Sequence, residues 1–477
     1  MISLEDVLFA LTGQNFPQCD HPIQNTVIDS RLASPGSLFI ALPGEHVDGH
    51  AYVQSAFEKG AKIALIGQDL PGSFETIDLR PDNFQLHHLH EVTFPVCLRV
   101  EDPLTALHKI ATYWRKEHPV RTVGITGSVG KTSTKELTAA LLSQKFAVLK
   151  NPGNRNNEIG LPLTLMELDN HHKRAVLEMG FYVPGEIQLL CDIAHPHIGV
   201  ITNIGTVHAE RAGSQEIIAH GKAELVRALP PAPEGIAILN MDDPWVRKMK
   251  SQTQARVITY GINHSADVTA KDIQILGLEG ISCVVSAFGE DHFVRSPLLG
   301  KFSVYTILCA VTVALQEGLN WPEITAGLEK SRLDLRMHPI KLSNEITLLD
   351  DSYNASPTST IAALEFLHEL SGRRVAILGD MLELGQYEYS DHHAVGLVAA
   401  DTVDFLILIG ERTKIIAAAA LENGFPENNL RLFSNSQSAA EEITALTQKG
   451  DIVLVKGSNI MRMDRIIAAL TGDNDGK

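Results

Sequence analysis

Apolar residues along this chain fall into two recurring patterns: short continuous runs that stop at glycine, proline or asparagine, and longer stretches whose apolar positions return every three or four residues. The first pattern is that of a strand buried on both faces, the second that of a helix with one packed side. Over residues 1–118 the runs are short and broken by turn formers, as in SLFIALPGE followed by the helix-like AYVQSAFEKGAKIALIG. The opening MISLEDVLFALTG reads as a folded helix, because Ser3 and Asp6 stand at capping-box spacing ahead of Val7, Leu8 and Leu11. The helical stretch PLTALHKIATYWRKEH ends before Pro119, and a new apolar strand, RTVGIT, begins. From 119 to 332 the strand candidates RTVGIT, RAVLEMG, IGVITNIG, GIAILN and RVITYG alternate with helical patterns. From 333 to 477 TLLDDSYN, RRVAILGDM, DFLILIG and DIVLVKGS do the same. Such alternation predicts parallel sheets covered by helices, and hence an α/β protein of three domains. These are a smaller N-terminal α/β domain (1–118), a central parallel-sheet domain (119–332) and a C-terminal α/β domain (333–477). Only the tail TGDNDGK reads as frayed.

Length and composition agree with several cores. The chain has 477 residues, 44% of them hydrophobic, which exceeds what one core usually serves. Its mean hydropathy is near zero, and no apolar run approaches the ~18 residues of a membrane span, so no membrane insertion is expected. The first residues lack a basic leader, which points to a cytoplasmic protein. A net charge of −17 opposes binding to a phosphate backbone, so nucleic acid is not an expected partner. Cys19, Cys97, Cys191, Cys283 and Cys309 are far apart and show no C-x-x-C spacing, which predicts reduced, mostly buried thiols.

The chemistry concentrates in RTVGITGSVGKTSTKELTAALL, which reads as strand, loop and helix. Gly124, Gly127 and Gly130 lead into Lys131 and Thr132, so residues 124–133 have the makings of a phosphate loop for ATP. Glycines let backbone N–H groups approach phosphate, the helix N-terminus adds its positive end, lysine reaches the outer phosphates and threonine holds magnesium. The expected contacts are Gly127, Ser128, Val129, Gly130, Lys131, Thr132 and Ser133. The strict G-x-x-x-x-G-K-[ST] spacing fails, because its first glycine would fall on Ile125. Magnesium also needs a hard oxygen ligand at the end of a neighbouring strand, and Glu178, which closes RAVLEMG, is the best placed. His208, in the loop GTVHAER, is by spacing alone more often a structural residue than a ligand.

Around that loop, GITGSVGKTS, NPGNRNNEIGLP, LEMG, TNIGTVHAER and HGKAEL resemble the central domain of the Mur ligases, cytoplasmic enzymes that build the peptide of peptidoglycan. The resemblance continues through DSR, GSLFIALPGEHVDGH and GA in the first domain, and through LDDSYNASPTS, LGDMLELG and VLVKGS in the third. The last group is similar to the branch that adds D-alanyl-D-alanine to UDP-N-acetylmuramoyl-tripeptide, and the DNPR motif of the diamino acid-adding branch is absent. The resemblance implies an ATP-dependent, ADP-forming amide ligase acting through an acyl phosphate, with a central P-loop ATPase domain and a Rossmann-like C-terminal domain. It implies ATP and Mg2+ as cofactors and a monomer acting on these two small substrates. By position, Lys131 and Thr132 would hold ATP and magnesium, Glu178 and His208 would ligate magnesium, and Lys222 would be carbamylated and help bind a second ion. Arg336 and Asp351 would contact the γ-phosphate and ribose. Ser30 and Arg31 would take the uridine diphosphate, Asn156 and Asn157 the muramoyl part, and Asn354 and Ser356 the dipeptide. Without the resemblance, Lys222 is an ordinary helix lysine, Arg31 a surface arginine and the Asn pair a turn.

Some positions depart from the family. Phe302, Ser303 and Thr306 replace residues associated with adenine recognition, Asn459 stands for an arginine after KGS, and Asp464 stands where glutamate is usual. The histidine groups His87, His88 and His90, His171 and His172, and His392 and His393 lack paired ligands at consistent spacing and are assigned no metal, although His392 matches a family histidine. The competing readings are another ligase of this superfamily, such as the diamino acid-adding Mur ligase or folylpolyglutamate synthase, and an ATP-binding switch without ligase chemistry.

Overall fold

The structure is a computed structural model that describes residues 1–44, 47–72, 74–81, 92–331 and 337–472. His87, His88, His90, Arg336 and the last five residues of the tail lie outside the described residues. The chain divides into two compact units, one of Met1–Gly124, Phe146–Gly180 and Glu186–His197, the other of Ile125–Lys145, Phe181–Gly185 and Ile198–Lys477.

The first unit opens with the expected helix, Leu4–Thr12. The Ser3 hydroxyl accepts from Asp6 N–H and the Asp6 carboxylate accepts from Ser3 N–H, so two otherwise orphaned donors are satisfied reciprocally. Five strands, β1 (Thr26–Val27), β2 (Leu38–Ile40), β3 (Ile63–Ile66), β4 (Glu75–Asp78) and β5 (Val96–Arg99), form a parallel sheet in the order β1-β2-β3-β5-β4. Every residue of β2 and β3 is buried, which is why they read as unbroken apolar runs. The helix Pro103–Glu117, capped by Asp102, follows the sheet. Near its end the buried Arg115 donates to Ala194 O, His118 O, Val120 O and Thr122 Oγ1 at 2.8–2.9 Å, and burial pushes its guanidinium down to about 10. The strands β6 (Arg121–Thr126), β7 (Val148–Lys150) and β8 (Arg174–Glu178) follow in the order β6-β8-β7. The last two residues of β6 belong to the second unit.

In the second unit β9 (Ile198–Ile201), β10 (Ile236–Asn240), β11 (Arg256–Gly261) and β12 (Val268–Ile275) are parallel. The sheet then departs from the expected all-parallel form, because β13 (Ile281–Ala287) and β14 (Glu290–Ser296) continue it antiparallel. Burial alternates in these strands, and an antiparallel sheet can leave one face in water. A second sheet contains β15 (His338–Lys341), β16 (Thr347–Asp351), β17 (Arg374–Gly379), β18 (Phe405–Ile409), β19 (Leu430–Phe433) and β20 (Ile452–Lys456) in the order β15-β16-β20-β17-β18-β19. All pairs are parallel except β15–β16. Side chains alternate between its faces: Leu349, Ala376, Leu406 and Leu454 pack on one side, Leu348, Val375, Ile407 and Val453 on the other. With β20 between β16 and β17, the loops after Asp351, Gly379 and Lys456 gather at the carboxyl ends of adjacent strands, where open α/β sheets collect ligands. The five cysteines are buried and unpaired by disulfides, as the sequence suggested. Among the described residues no helix is long and apolar enough to cross a membrane.

Candidate active site

The loop after β6 is held by the segment that follows β9. Ser128 N–H donates to Asn203 O at 2.9 Å, and Gly205 N–H donates to Ser128 Oγ at 2.8 Å. Val129 is gripped on both sides, its N–H donating to Asn203 Oδ1 and its carbonyl accepting from Asn203 Nδ2, each at 2.9 Å, and from Thr202 Oγ1 at 2.7 Å. Gly127 makes this closeness possible: its φ is +151° and a Cβ there would run into Thr202 Oγ1. Gly130, with φ +82°, turns the chain into the helix Lys131–Leu142. Thr134 N–H donates to Gly130 O and starts the helical ladder, so the N–H groups just before it face out of the helix end, the arrangement that favours an anion. Lys131 Nζ curls back to Ser128 O at 3.2 Å. Beside the loop Val129, Gly130, Tyr260, Phe302, Tyr305 and Thr306 line a narrow cleft. Ser303 turns away, donating to Leu299 O. Tyr305 OH donates to Asp242 Oδ2 at 2.9 Å, and Asp242 also accepts from the N–H groups of Ile262, Asn263 and His264. Burial opposes ionisation of Asp242, but these donors outweigh it and hold the carboxyl below its ordinary range.

His208 lies in the same unit, at the start of the short helix Ala209–Ala212, with a left-handed backbone of φ 70°. Burial first, then the charges of Lys131, Lys222 and Arg211, push its imidazole down to about 3. Its Nδ1 lies 2.6 Å from Glu383 Oε2. A carboxylate only accepts, so Nδ1 carries the proton, and Nε2 is the nitrogen left to meet a ligand. Lys222, 1% exposed, ends the helix Gln215–Lys222 with its ammonium 4.6 Å over the Phe181 ring. Gly221 leaves room for that ring, since a Cβ there would strike it. No group of three or more His, Cys, Asp or Glu converges on a metal among the described residues. Magnesium carried on nucleotide phosphates needs no such cage, because it keeps waters and takes one or two protein ligands, chiefly oxygens; the Thr132 hydroxyl is of that kind, and His208 would add a nitrogen.

In the C-terminal sheet Asp351 is buried and ion-paired, its Oδ2 2.6 Å from Lys456 Nζ, which also donates to Asn354 O at 3.0 Å. The side chains of Asn354 and Ser356 are engaged locally: Asn354 Oδ1 accepts from Ala355 N–H, and Ser356 caps the helix Pro357–His368. Asn459 Nδ2 donates to Tyr353 O at 3.3 Å, and Asp464 pairs with Arg462. His392 is fully buried, accepting from Met381 N–H and donating to Glu388 O, so both ring nitrogens are engaged within the fold. His393 stacks with Tyr389, and His171 and His172 close a turn on Asp169.

In the first unit Glu178 is buried at the end of β8 and accepts from Asn156 Nδ2 at 2.8 Å. Asn151 Oδ1 accepts from Glu178 N–H, and Asn157 Oδ1 accepts from Gly160 N–H at the start of the helix Gly160–Leu165. Arg31 is 84% exposed on its side chain and forms a bidentate pair with Asp29, which holds that carboxyl down to about 2. Ser30 beside it is buried. Sequence reasoning did not assign Thr202, Asn203 or Glu383. TNIG and LGDMLELG stand out in the sequence, but nothing in the strings shows which loop each one supports.

Family models match along most of the chain: Mur ligase family, catalytic domain, over residues 22–112; Mur ligase middle domain over 125–314; and Mur ligase, glutamate ligase domain, over 335–459. A protein of Synechocystis sp. named UDP-N-acetylmuramoyl-tripeptide--D-alanyl-D-alanine ligase is 35% identical over 474 residues, covering 99% of this chain and 96% of that protein. The crystal structure of MurF from Acinetobacter baumannii superposes with a TM-score of 0.84 at 28% identity, covering 98% of each chain. MurF ligase from Thermotoga maritima, solved in complex with ADP, gives a TM-score of 0.79 at 25% identity, covering 97% of this chain and 98% of that one.

Proposed function

The chain belongs to the Mur ligase family, and from that premise we propose that it joins D-alanyl-D-alanine to UDP-N-acetylmuramoyl-tripeptide with cleavage of ATP to ADP and phosphate. The observation that carries the reading is the preformed phosphate loop, fastened through Val129 to Asn203 and opening on the helix N-terminus at Gly130, in a unit that also holds His208 and Lys222. Amide formation in water needs an activated carboxylate. The terminal carboxylate of the tripeptide attacks the γ-phosphorus and ADP leaves. The dipeptide amine then attacks the acyl carbonyl, loses a proton and expels phosphate.

The residues contribute mainly positioning and charge neutralisation. Residues 127–133 cradle the phosphates, and Lys131 Nζ, released from Ser128 O, neutralises charge on the outer ones. Magnesium, when bound, screens the phosphate oxygens. Thr132 and His208 would hold it in the second unit, and Glu178 is a further ligand on the strength of its motif. Carbamylation of the buried Lys222 would turn a cation into an anion suited to a second ion. Arg336 and Asp351 are assigned to the γ-phosphate and ribose, Ser30, Arg31, Asn156 and Asn157 to the UDP-sugar, and Asn354 and Ser356 to the dipeptide, each on motif position. Several of these side chains are engaged by neighbours, Arg31 by Asp29 and Asp351 by Lys456, so ligand contact requires those pairs to open or be shared. The division into a UDP-sugar domain (1–118), an ATP domain (119–332) and a ligase domain (333–477), a monomeric state and residence in the cytoplasm complete the proposal.

The test is phosphate release from ATP with UDP-N-acetylmuramoyl-tripeptide and a panel of acceptors. Release that requires both the tripeptide and D-alanyl-D-alanine is expected. Release insensitive to the acceptor would overturn the ligase reading.

A further inference from the structure

The motif LGDMLELG leaves β17 and reaches the loop that carries His208. Glu383 Oε2 lies 2.6 Å from His208 Nδ1, and its other oxygen lies 3.8 Å from Arg211 Nη2. The two residues share an uncommon backbone state, His208 at φ 70° and Glu383 at φ 63°, both left-handed and neither glycine. Left-handed backbone at a non-glycine residue persists only where the surroundings over-determine it, and it concentrates at functional sites. Here the surroundings are a two-sided seam. Glu210 N–H donates to Glu383 O at 3.2 Å, Thr206 Oγ1 to Asp391 Oδ2 at 2.6 Å, and Gln386 Nε2 to Gly213 O at 3.1 Å. Gly385, at φ 53°, lets the chains approach, since a Cβ there would stand 2.9 Å from Glu210 Cα.

We propose that Glu383 is a positioning residue for the cation site: it holds the Nδ1–H tautomer of His208, so that Nε2 presents its lone pair to the divalent cation of the nucleotide. This rests on the reading of His208 as a ligand. Partners on the far nitrogen of a metal-binding imidazole fix the tautomer and ring orientation and raise ligand basicity. Because Glu383 belongs to the C-terminal sheet and His208 to the segment after β9, the ligand is completed only when the LGDMLELG loop is docked. The cation site thereby senses the seating of the C-terminal sheet.

The test uses the full chain with ADP and Mn2+ in place of magnesium, free Mn2+ being read by electron paramagnetic resonance. Glu383→Gln keeps the shape and removes the fixed acceptor, and His208→Ala removes the ligand. Glu383→Gln is expected to weaken Mn2+ binding by about tenfold or more, to raise the KM for Mg–ATP, and to leave the KM for D-alanyl-D-alanine and the melting temperature in place. Nitrogen-15 NMR of the unaltered protein, with the His208 signals assigned by their loss in His208→Ala, is expected to show the proton on Nδ1. A proton on Nε2, or unchanged Mn2+ affinity in Glu383→Gln alongside a loss in His208→Ala, overturns the role of Glu383. Unchanged affinity in His208→Ala overturns instead the reading of His208 as a ligand. If Glu383→Gln fails to fold, the NMR tautomer of the unaltered protein decides alone.

Discussion

Replacing Gly127 by alanine adds one methyl group where the structure has no room for it. The backbone there has φ +151°, and the added Cβ would overlap Thr202 Oγ1, approach Thr202 Cβ to 3.0 Å and Asn203 N to 3.2 Å. Holding a non-glycine residue in that conformation costs about 1–3 kcal/mol. Turning the Thr202 hydroxyl aside loses its 2.7 Å bond to Val129 O, worth about 1 kcal/mol. Together the two effects amount to roughly 2–4 kcal/mol. The loop can either keep its shape, so that the unfolding free energy falls by that amount, or shift, so that ADP affinity falls by roughly 30- to 700-fold. Urea unfolding and calorimetric titration with Mg–ADP, measured on the same preparations, capture both. Adding Thr202→Ala to Gly127→Ala should recover the collision but not the backbone strain. A Gly127→Ala protein that unfolds as the parent does and binds ADP within about threefold of it (~0.6 kcal/mol) would refute the reasoning.

Other consequences can be checked in the same way. Lys131→Ala should abolish phosphate release while leaving the circular dichroism and melting temperature unchanged, and near-normal turnover would sink its assigned role. Activity should fall in enzyme depleted of carbon dioxide and in Lys222→Ala, with recovery of the variant by short-chain carboxylic acids; an alanine variant of undiminished activity would remove carbamylation from the account. Asp242→Ala leaves three backbone N–H groups and the Tyr305 hydroxyl without their acceptor, and should cost about 2–4 kcal/mol in urea unfolding. Because the folded-state carboxyl is held below its ordinary range, the stability it contributes is present above the unfolded-state value and is lost as pH falls through the lowered one. Asp242→Asn should therefore flatten that part of the acid-unfolding profile.

The parts legible in the sequence were those coded within one stretch of chain. Ser3 and Asp6 announce a helix start because both partners of the capping box sit three residues apart. The runs in β6, β9, β16, β17, β18 and β20 read as buried parallel strands because both faces are covered. The antiparallel β14 was not anticipated, because a half-exposed strand such as EDHFVRS carries too few apolar positions to stand out. The phosphate loop could be read, but its support could not: Thr202 and Asn203 lie 73 and 74 residues downstream of Val129, and no local pattern links them to it. Glu383 is 175 residues from His208, so LGDMLELG could be noticed without its purpose being visible.

The grip on Val129 changes how the nucleotide meets the protein. The carboxamide of Asn203 gives and receives a hydrogen bond with one residue's peptide groups, just as a neighbouring strand residue does in an antiparallel ladder. A side chain thus extends the hydrogen-bonding of the sheet past the last residue of β9, into the loop that follows β6. The arriving triphosphate finds a surface already in place, so little entropy is lost in ordering it.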